Sequence, residues 1–191
     1  MQIIIGDRGL WRNNRLGLRL IFYRILGRMI ENYKLVLVLD RLRSAHNVGN
    51  IFRLAEALGA SEIIACGYTP APPHPKLEKT AMGADKMVPC RQMENSLLAV
   101  ETLRREGFKQ ILAVECADNA VLAWKMDYKF PLALVLGNEA LGVAPATIAA
   151  CDGVVKLPMF GAKESINVGN AAAAVLYAMA ARVGLSEKEW I

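Results

Sequence analysis

The sequence predicts an α/β fold: a parallel sheet flanked by helices on both faces. Three observations carry this reading. Short, nearly unbroken apolar runs recur along the chain, as at 35–39 (LVLVL) and Leu132–Leu136 (LALVL), and a strand that is apolar at every position has to be covered on both faces. Helical stretches alternate with these runs, which is the pattern of a parallel sheet with crossover helices. Glycines stand where helical stretches stop, at Gly59 and Gly107, as expected of residues that end helices in the left-handed conformation.

In order, residues 35–39 read as a buried strand and 48–58 as a helix, with Asn47 as a good N-cap. Glu62–Cys66 is the second strand. The stretch 67–75 holds Pro70, Pro72, Pro73 and Pro75 and excludes regular structure. A short strand is expected around 87–88, a helix over 94–106, and strands over 110–115 and Leu132–Leu136. A short helix at Pro145–Ala150 and a strand at 153–157 follow, and an alanine-rich helix over 166–183 closes the pattern. The chain divides into an N-terminal arm, residues 1–34, and one domain, residues 35–191.

The 191 residues are 54% apolar and 21% charged, enough to build one core and unlike a disordered chain. The four cysteines, Cys66, Cys90, Cys116 and Cys151, are far apart with no CxxC pair. That excludes zinc-ribbon spacing, lends nothing to a disulfide scaffold, and fits free thiols in a reducing cytoplasm. The longest apolar run, 171–181, has 11 residues, where a membrane span needs roughly 20. No span is expected. Arginines interrupt the first 30 positions, so no secretory signal is expected either, and a cytoplasmic location is the expectation.

The net charge is +5, and its location is informative. Residues 1–34 carry seven basic and two acidic side chains, so the whole excess lies in the arm. On a helix, Arg8, Arg12, Arg15 and Arg19 would fall within about 60° of one another. Leu18, Ile21, Phe22, Ile25 and Met29 would cluster on another side. Gly9, Asn13, Asn14 and Gly17 weaken that helix, and Arg24 and Arg28 break the stripe. A nucleic-acid arm and a solvated or dimer-packing helix both fit, with membrane-surface binding a third reading.

Several chemistries lack their motifs. No GxGxxG follows the first strand, which counts against a dinucleotide fold. Gly137 to Gly142 has P-loop spacing, but Val143 stands where a phosphate-binding lysine belongs. There is no HExxH and no GxSxG. His46 and His74, the only histidines, lie 28 residues apart and read as loop or packing residues. No metal site is expected.

Three segments remain. Asn47-Val-Gly-Asn50-Ile-Phe-Arg53 follows a strand and opens a helix, and an arginine there is placed to grip a phosphate or ribose, or simply to solvate a helix face. Leu134-Val-Leu-Gly137-Asn138-Glu139-Ala-Leu-Gly142 empties a strand into a glycine turn bearing one carboxylate, at the sheet edge where open α/β folds bind ligands. Leu157-Pro158-Met159 through Ser165-Ile166-Asn167 is an irregular loop before the last helix, with Ser165 and Asn167 as caps or substrate contacts.

Together, in this order and spacing, the N-x5-R helix start, the LGNE turn and the LPM…S-x-N loop closely resemble the three motifs of the SpoU (TrmH-like) family, S-adenosylmethionine-dependent RNA ribose 2′-O-methyltransferases of the SPOUT class. The resemblance spans about 35–183, and the His74-Pro-Lys…Glu78-Lys79-Thr80-Ala-Met-Gly83 stretch is similar to the family's substrate-side loop. By motif position it implies functional roles for Asn47, Arg53, Glu139, Ser165 and Asn167. It also implies a cofactor pocket at Gly137, Leu157 and Ile166 with Met159 and Glu115 nearby, and substrate contacts at Arg53, Lys79 and Thr80. A C-terminal trefoil knot, a homodimer and an RNA substrate, tRNA or rRNA, come from the resemblance alone. The helix stretch 171–181 is then an interface candidate or ordinary core. Where the family's third motif often reads N-V-S-V, this chain has Asn167-Val168-Gly169-Asn170, so the hydrogen bonds of that helix start need another source. Residues 1–34 match no family extension.

Methyl transfer to a ribose oxygen needs alignment and help with one proton. A free guanidinium has a pKa above about 12, and lowering it to 7 would cost roughly 7 kcal/mol. Arg53 is therefore expected to clamp a phosphate and stabilise a developing alkoxide rather than act as a base, with Glu139 and Asn47 orienting it. A non-catalytic RNA-binding protein of the same fold, and an enzyme methylating a base nitrogen, are the alternatives. The sequence names neither the RNA nor the nucleotide.

Overall fold

In the computed structural model, which describes residues 33–184, the apolar runs form one seven-stranded sheet. Its strands are β1 (Leu35–Asp40), β2 (Glu62–Cys66), β3 (Cys90–Met93), β4 (Gln110–Val114), β5 (Val121–Leu122), β6 (Leu132–Leu136) and β7 (Gly153–Lys156). All pairs are parallel, and the order across the sheet is β3-β2-β1-β6-β4-β7-β5. The two most apolar runs lie side by side at its centre, with Leu35 opposite Leu132 and Leu39 opposite Leu136.

Alternate side chains of β1 feed two separate cores, as a period of two requires. Leu35, Leu37 and Leu39 pack with Val48, Ile51 and Phe52 of α1 (Ala45–Ala57), Leu77 of α2 (Pro75–Ala81), and Val175 and Met179 of α5 (Val168–Arg182). Val36 and Val38 face the other way, onto Ala99, Val100 and Leu103 of α3 (Ser96–Arg105) and Ile148 of α4 (Pro145–Ala150). Helices thus cover both faces. Phe52 is fully buried, and burying such a side chain contributes about 1.5–3 kcal/mol.

Several boundaries differ from the sequence expectation. The first helix starts at Ala45 because the Ser44 hydroxyl accepts from the Asn47 N–H at 3.3 Å, so Ser44 rather than Asn47 is the N-cap. The proline-rich stretch ends in a helix that periodicity did not reveal. The His74 ring nitrogen caps α2 by accepting from Leu77 N–H at 3.4 Å, and Pro75 sits in the first turn, where its missing N–H costs nothing. The strand expected at 87–88 lies at Cys90–Met93, after a 3-10 turn at Ala84–Lys86. The last helix begins at Val168, capped by Asn167. The two-residue β5 is too short to announce itself.

The basic arm falls outside the described residues apart from its last two positions. Tyr33 is buried, donates its hydroxyl to Leu58 O at 2.7 Å and lies with its ring 4.7 Å from that of Phe130. Lys34 sits over the Phe108 ring at 4.9 Å. Among the described residues, no helix is long and apolar enough to cross a membrane.

Candidate functional site at the carboxyl edge of the sheet

The turn after β6 is shaped by close backbone contact. A Cβ on Gly137 would run into the Gly142–Val143 peptide, and one on Gly142, which has φ +67°, would run into the Glu115 carboxylate. Asn138 is buried and fully engaged. Its Oδ1 accepts from Ala140 N–H (2.9 Å) and Leu141 N–H (3.0 Å), and its Nδ2 donates to Arg41 O (2.5 Å) and the Tyr68 hydroxyl (2.9 Å). Such a turn, organised by an asparagine side chain, leaves Glu139 at its tip. Two further carboxylates hold the way out. Glu115 accepts from Val143 N–H at 2.7 Å, and the buried Asp40, paired with Arg41 at 2.9 Å, accepts from Ala144 N–H at 2.8 Å.

Glu139 reaches across to the start of α1. Its oxygens accept from Arg43 N–H (2.9 Å), Ser44 N–H (3.1 Å) and Asn47 Nδ2 (2.9 Å). Partial burial pushes its pKa up, but these hydrogen bonds, led by Arg43 N–H, outweigh burial and hold the carboxyl below its usual range. α1 has no acidic residue in its own first turn, so this carboxylate supplies the negative charge its N-terminus favours.

The same asparagine links to the third segment. Asn167 caps α5 by accepting from Gly169 N–H (2.9 Å) and Asn170 N–H (3.3 Å), and its Nδ2 donates to Asn47 Oδ1 at 3.0 Å. A carboxylate can only accept, so Asn47 must turn its NH2 toward Glu139 and its carbonyl oxygen toward Asn167. One directed chain, Asn167 to Asn47 to Glu139, joins all three segments. It also explains Gly169: a Cβ there would lie 2.9 Å from Asn50 Nδ2 and 3.1 Å from Asn167 Oδ1. Asn167 itself supplies the helix-start bonds that a serine hydroxyl does not provide here.

Other expected residues stand apart from that chain. Arg53 is exposed on α1 and makes no hydrogen bond or ion pair with the described residues. Glu139 and Asn47, expected to orient Arg53, make no bond to it, and the carboxylate is satisfied by Arg43, Ser44 and Asn47. Those bonds fix the helix that carries Arg53 instead. Lys79 is exposed on α2. Thr80 Oγ1 lies 2.9 Å from His46 Nδ1 and donates to Lys76 O at 3.1 Å, linking α2 to α1. The helices meet at Gly49, where a Cβ would lie 2.7 Å from Thr80 Cβ. Ser165 is exposed and its side chain makes no hydrogen bond with the described residues.

The residues expected around a cofactor come from the carboxyl ends of β4, β6 and β7. β4 lies between the other two strands in the sheet. Leu157 and Met159 are half-buried, while Ile166, Leu141 and Phe160 are exposed apolar side chains. Cys116 Sγ donates to Glu164 O at 3.4 Å, tying the loop after β4 to the loop after β7. Burial pushes the thiols of Cys66 and Cys151 up to about 12 and that of Cys90 to about 11. All four cysteines are free. Sequence reasoning assigned no role to Ser44, Asp40, Asn138 or Asn50. A lone aspartate ending an apolar strand, and the asparagine inside the LGNE turn, were the available signals.

An open, all-parallel α/β domain whose polar loops gather at the carboxyl ends of its strands is a ligand-binding α/β protein. Residues 34–177 match the model of the SpoU rRNA Methylase family, and the chain belongs to that family. It is 34% identical over 148 residues to the 23S rRNA (guanosine-2'-O-)-methyltransferase RlmB of Ralstonia nicotianae, covering 78% of this chain and 59% of that protein. Among solved structures it resembles an AdoMet-bound rRNA methyltransferase from Sinorhizobium meliloti, with TM-score 0.72, 26% identity, and coverage of 79% of this chain and 57% of that one. It also resembles the A. aeolicus TrmH/SpoU tRNA modifying enzyme, with TM-score 0.69, 27% identity, and coverage of 90% and 91%. The chain spans about three-fifths of the length of the curated relatives it matches.

Proposed function

We propose that this chain is an S-adenosylmethionine-dependent RNA methyltransferase acting on a ribose 2′-hydroxyl of rRNA or tRNA. The observation that carries the reading is the Asn167–Asn47–Glu139 chain, which draws the three motif segments to one edge of the sheet and leaves the guanidinium of Arg53, further along the helix that carries Asn47, without a partner among the described residues. The names of the relatives, a 23S rRNA (guanosine-2'-O-)-methyltransferase and a TrmH/SpoU tRNA modifying enzyme, support the same chemistry.

The residues present fit the cofactor. Leu157 and Met159 on irregular backbone, together with the exposed Ile166 and Leu141, suit an adenine and the alkyl chains on a sulfonium, which need apolar contact and backbone hydrogen bonds. Gly137 keeps the 138–142 turn closed against Val143. When bound, the cofactor supplies an electrophilic methyl group on a sulfonium. Leu157, Met159, Ile166 and the Gly137 turn would hold it, and Glu115 would brace that turn through Val143 N–H. Arg53 would clamp a substrate phosphate and stabilise the alkoxide that develops on the ribose, the proton leaving to that phosphate or to water. Asn47, Asn167 and Glu139 would set the position of α1, while Ser165, Lys79 and Thr80 would contact RNA. The basic arm 1–34 would add sequence-independent attraction.

Three further parts of the reading go with it: a C-terminal trefoil knot, a homodimer using the exposed side of α5 around Tyr177, and action in the cytoplasm. Mapping 2′-O-methyl positions in total RNA with and without the protein, together with calorimetric titration of S-adenosylmethionine, tests the activity. New ribose methylation and a saturable heat are expected. A base adduct, or RNA binding with no heat on titration, would replace the reading with a base methyltransferase or a non-catalytic binder.

A further inference from the structure

Tyr68 stands in the turn after β2, at the same edge of the sheet as the motif loops, and is 58% exposed. Exposed aromatics are common on loose loops, but this one is anchored on both sides. Gly67, at φ +60°, donates its N–H to Met93 O at 3.0 Å. Thr69 is buried. Its hydroxyl lies 2.8 Å from Cys66 O and 3.0 Å from Leu39 O, and accepts from Leu42 N–H at 3.0 Å. The Tyr68 hydroxyl accepts from Asn138 Nδ2 at 2.9 Å, and every other hydrogen-bonding position of that amide is in use within the 138–142 turn and at Arg41 O. The ring is therefore held by its backbone and its para oxygen and still presents its surface to solvent, bonded to the residue that precedes Glu139. Burial does not explain an aromatic fixed in this way. Stacking does: a rigid exposed π-face is how proteins hold unpaired bases of RNA.

We propose that Tyr68 is a substrate-binding residue on whose ring a base of the RNA stacks, next to the 138–142 turn. The inference rests on the RNA methyltransferase reading and adds to it a base contact, where Arg53 and Lys79 supply only charge. Arg43, exposed and with no side-chain partner among the described residues, would face the phosphate of the same nucleotide.

The test uses the full chain as wild type and as Tyr68→Ala, Tyr68→Leu, Tyr68→Phe and Tyr68→Trp. Binding of a labelled single-stranded RNA 20-mer is followed by anisotropy, and KM and kcat are measured for methyl transfer to transcribed 23S rRNA and tRNA. Tyr68→Ala and Tyr68→Leu should weaken RNA binding and raise KM about 5- to 100-fold, the range for losing one stacked base. Tyr68→Phe and Tyr68→Trp should stay within threefold, and S-adenosylmethionine affinity should not change. Should Tyr68→Ala fail to fold, Tyr68→Leu carries the comparison. RNA binding within twofold of wild type for Tyr68→Leu, a loss in Tyr68→Phe as large as in Tyr68→Leu, or a wild type that does not bind the RNA would each overturn the proposal. If wild type binds RNA through Tyr68 yet transfers no methyl group, the stacking site stands and the activity proposed above falls.

Discussion

Replacing Asn167 separates two jobs that the structure gives to one side chain. Its Oδ1 caps α5 through Gly169 and Asn170, and its Nδ2 holds Asn47. Asn167→Ala removes both. Losing an N-cap costs about 1 kcal/mol, and losing one neutral hydrogen bond costs roughly 0.5–1.5 kcal/mol. At an exposed position the sum should be about 1.5 kcal/mol, and for a chain of this size that lowers the Tm by roughly 3–6 °C. Asn167→Asp keeps the acceptors and adds a negative charge at a helix N-terminus, favourable by about 0.3–1 kcal/mol. It cannot donate to Asn47, however, and it sets a carboxylate against the Asn47 carbonyl oxygen with the Glu139 anion beyond. Its stability should stay within about 0.5 kcal/mol of wild type, while methyl transfer falls as far as in the alanine variant. Urea and thermal unfolding measure the first quantity, and incorporation of labelled methyl into RNA the second. If the aspartate is as unstable as the alanine, the capping assignment is wrong. If it turns over like wild type, the link to Asn47 has no part in function.

Three other outcomes are expected. Arg53→Ala should bind S-adenosylmethionine normally in calorimetry yet lose at least about 100-fold in turnover, the scale of removing a preorganised charge; near-normal methylation would take Arg53 out of the mechanism. Glu139 has a depressed carboxyl pKa, so its stabilising contribution is complete above the unfolded value of about 4.3 and fades as pH falls through the lower folded value. The stability gap between wild type and Glu139→Gln should therefore be constant from pH 7 to 5 and close only below about pH 4; urea titrations showing the gap already closed at pH 5 would contradict the hydrogen bonds assigned to Glu139. Gly137→Ala pushes a methyl into the Gly142–Val143 peptide, which should cost about 1–3 kcal/mol and abolish the heat of cofactor binding. A variant as stable as wild type would mean the 138–142 turn is looser than described.

The strands were legible because a fully buried parallel strand leaves an unbroken apolar run. Glu62–Cys66 and Leu132–Leu136 fall where expected, and β1 runs one residue further. Helix ends were less legible, since a cap is a competition among neighbouring polar residues that the sequence does not decide. Ser44 and Asn47 both make good caps, and Ser44 takes the position because Asn47 is drawn off by Glu139 and Asn167, partners 92 and 120 residues away. The α2 helix was hidden by the prolines before it, one of which turns out to open it. The motif residues were found by pattern, but their wiring was not. The resemblance suggested that Glu139 steers Arg53, whereas the carboxylate is taken up by the backbone that leads into α1. Asp40 and Asn138 stayed hidden because their work is done on main-chain groups of distant loops.

That carboxylate also narrows how an RNA can be read. The amide groups at the head of a helix commonly receive a phosphate, but here an anion from the chain itself lies on the Arg43 and Ser44 amides that lead into α1, and a second anion brought there would be repelled. Any phosphate near α1 must be met by side chains on its flank. If this chain acts on RNA as proposed, small free phosphates would find no seat there, and only a polymer able to span several cationic groups at once would be held.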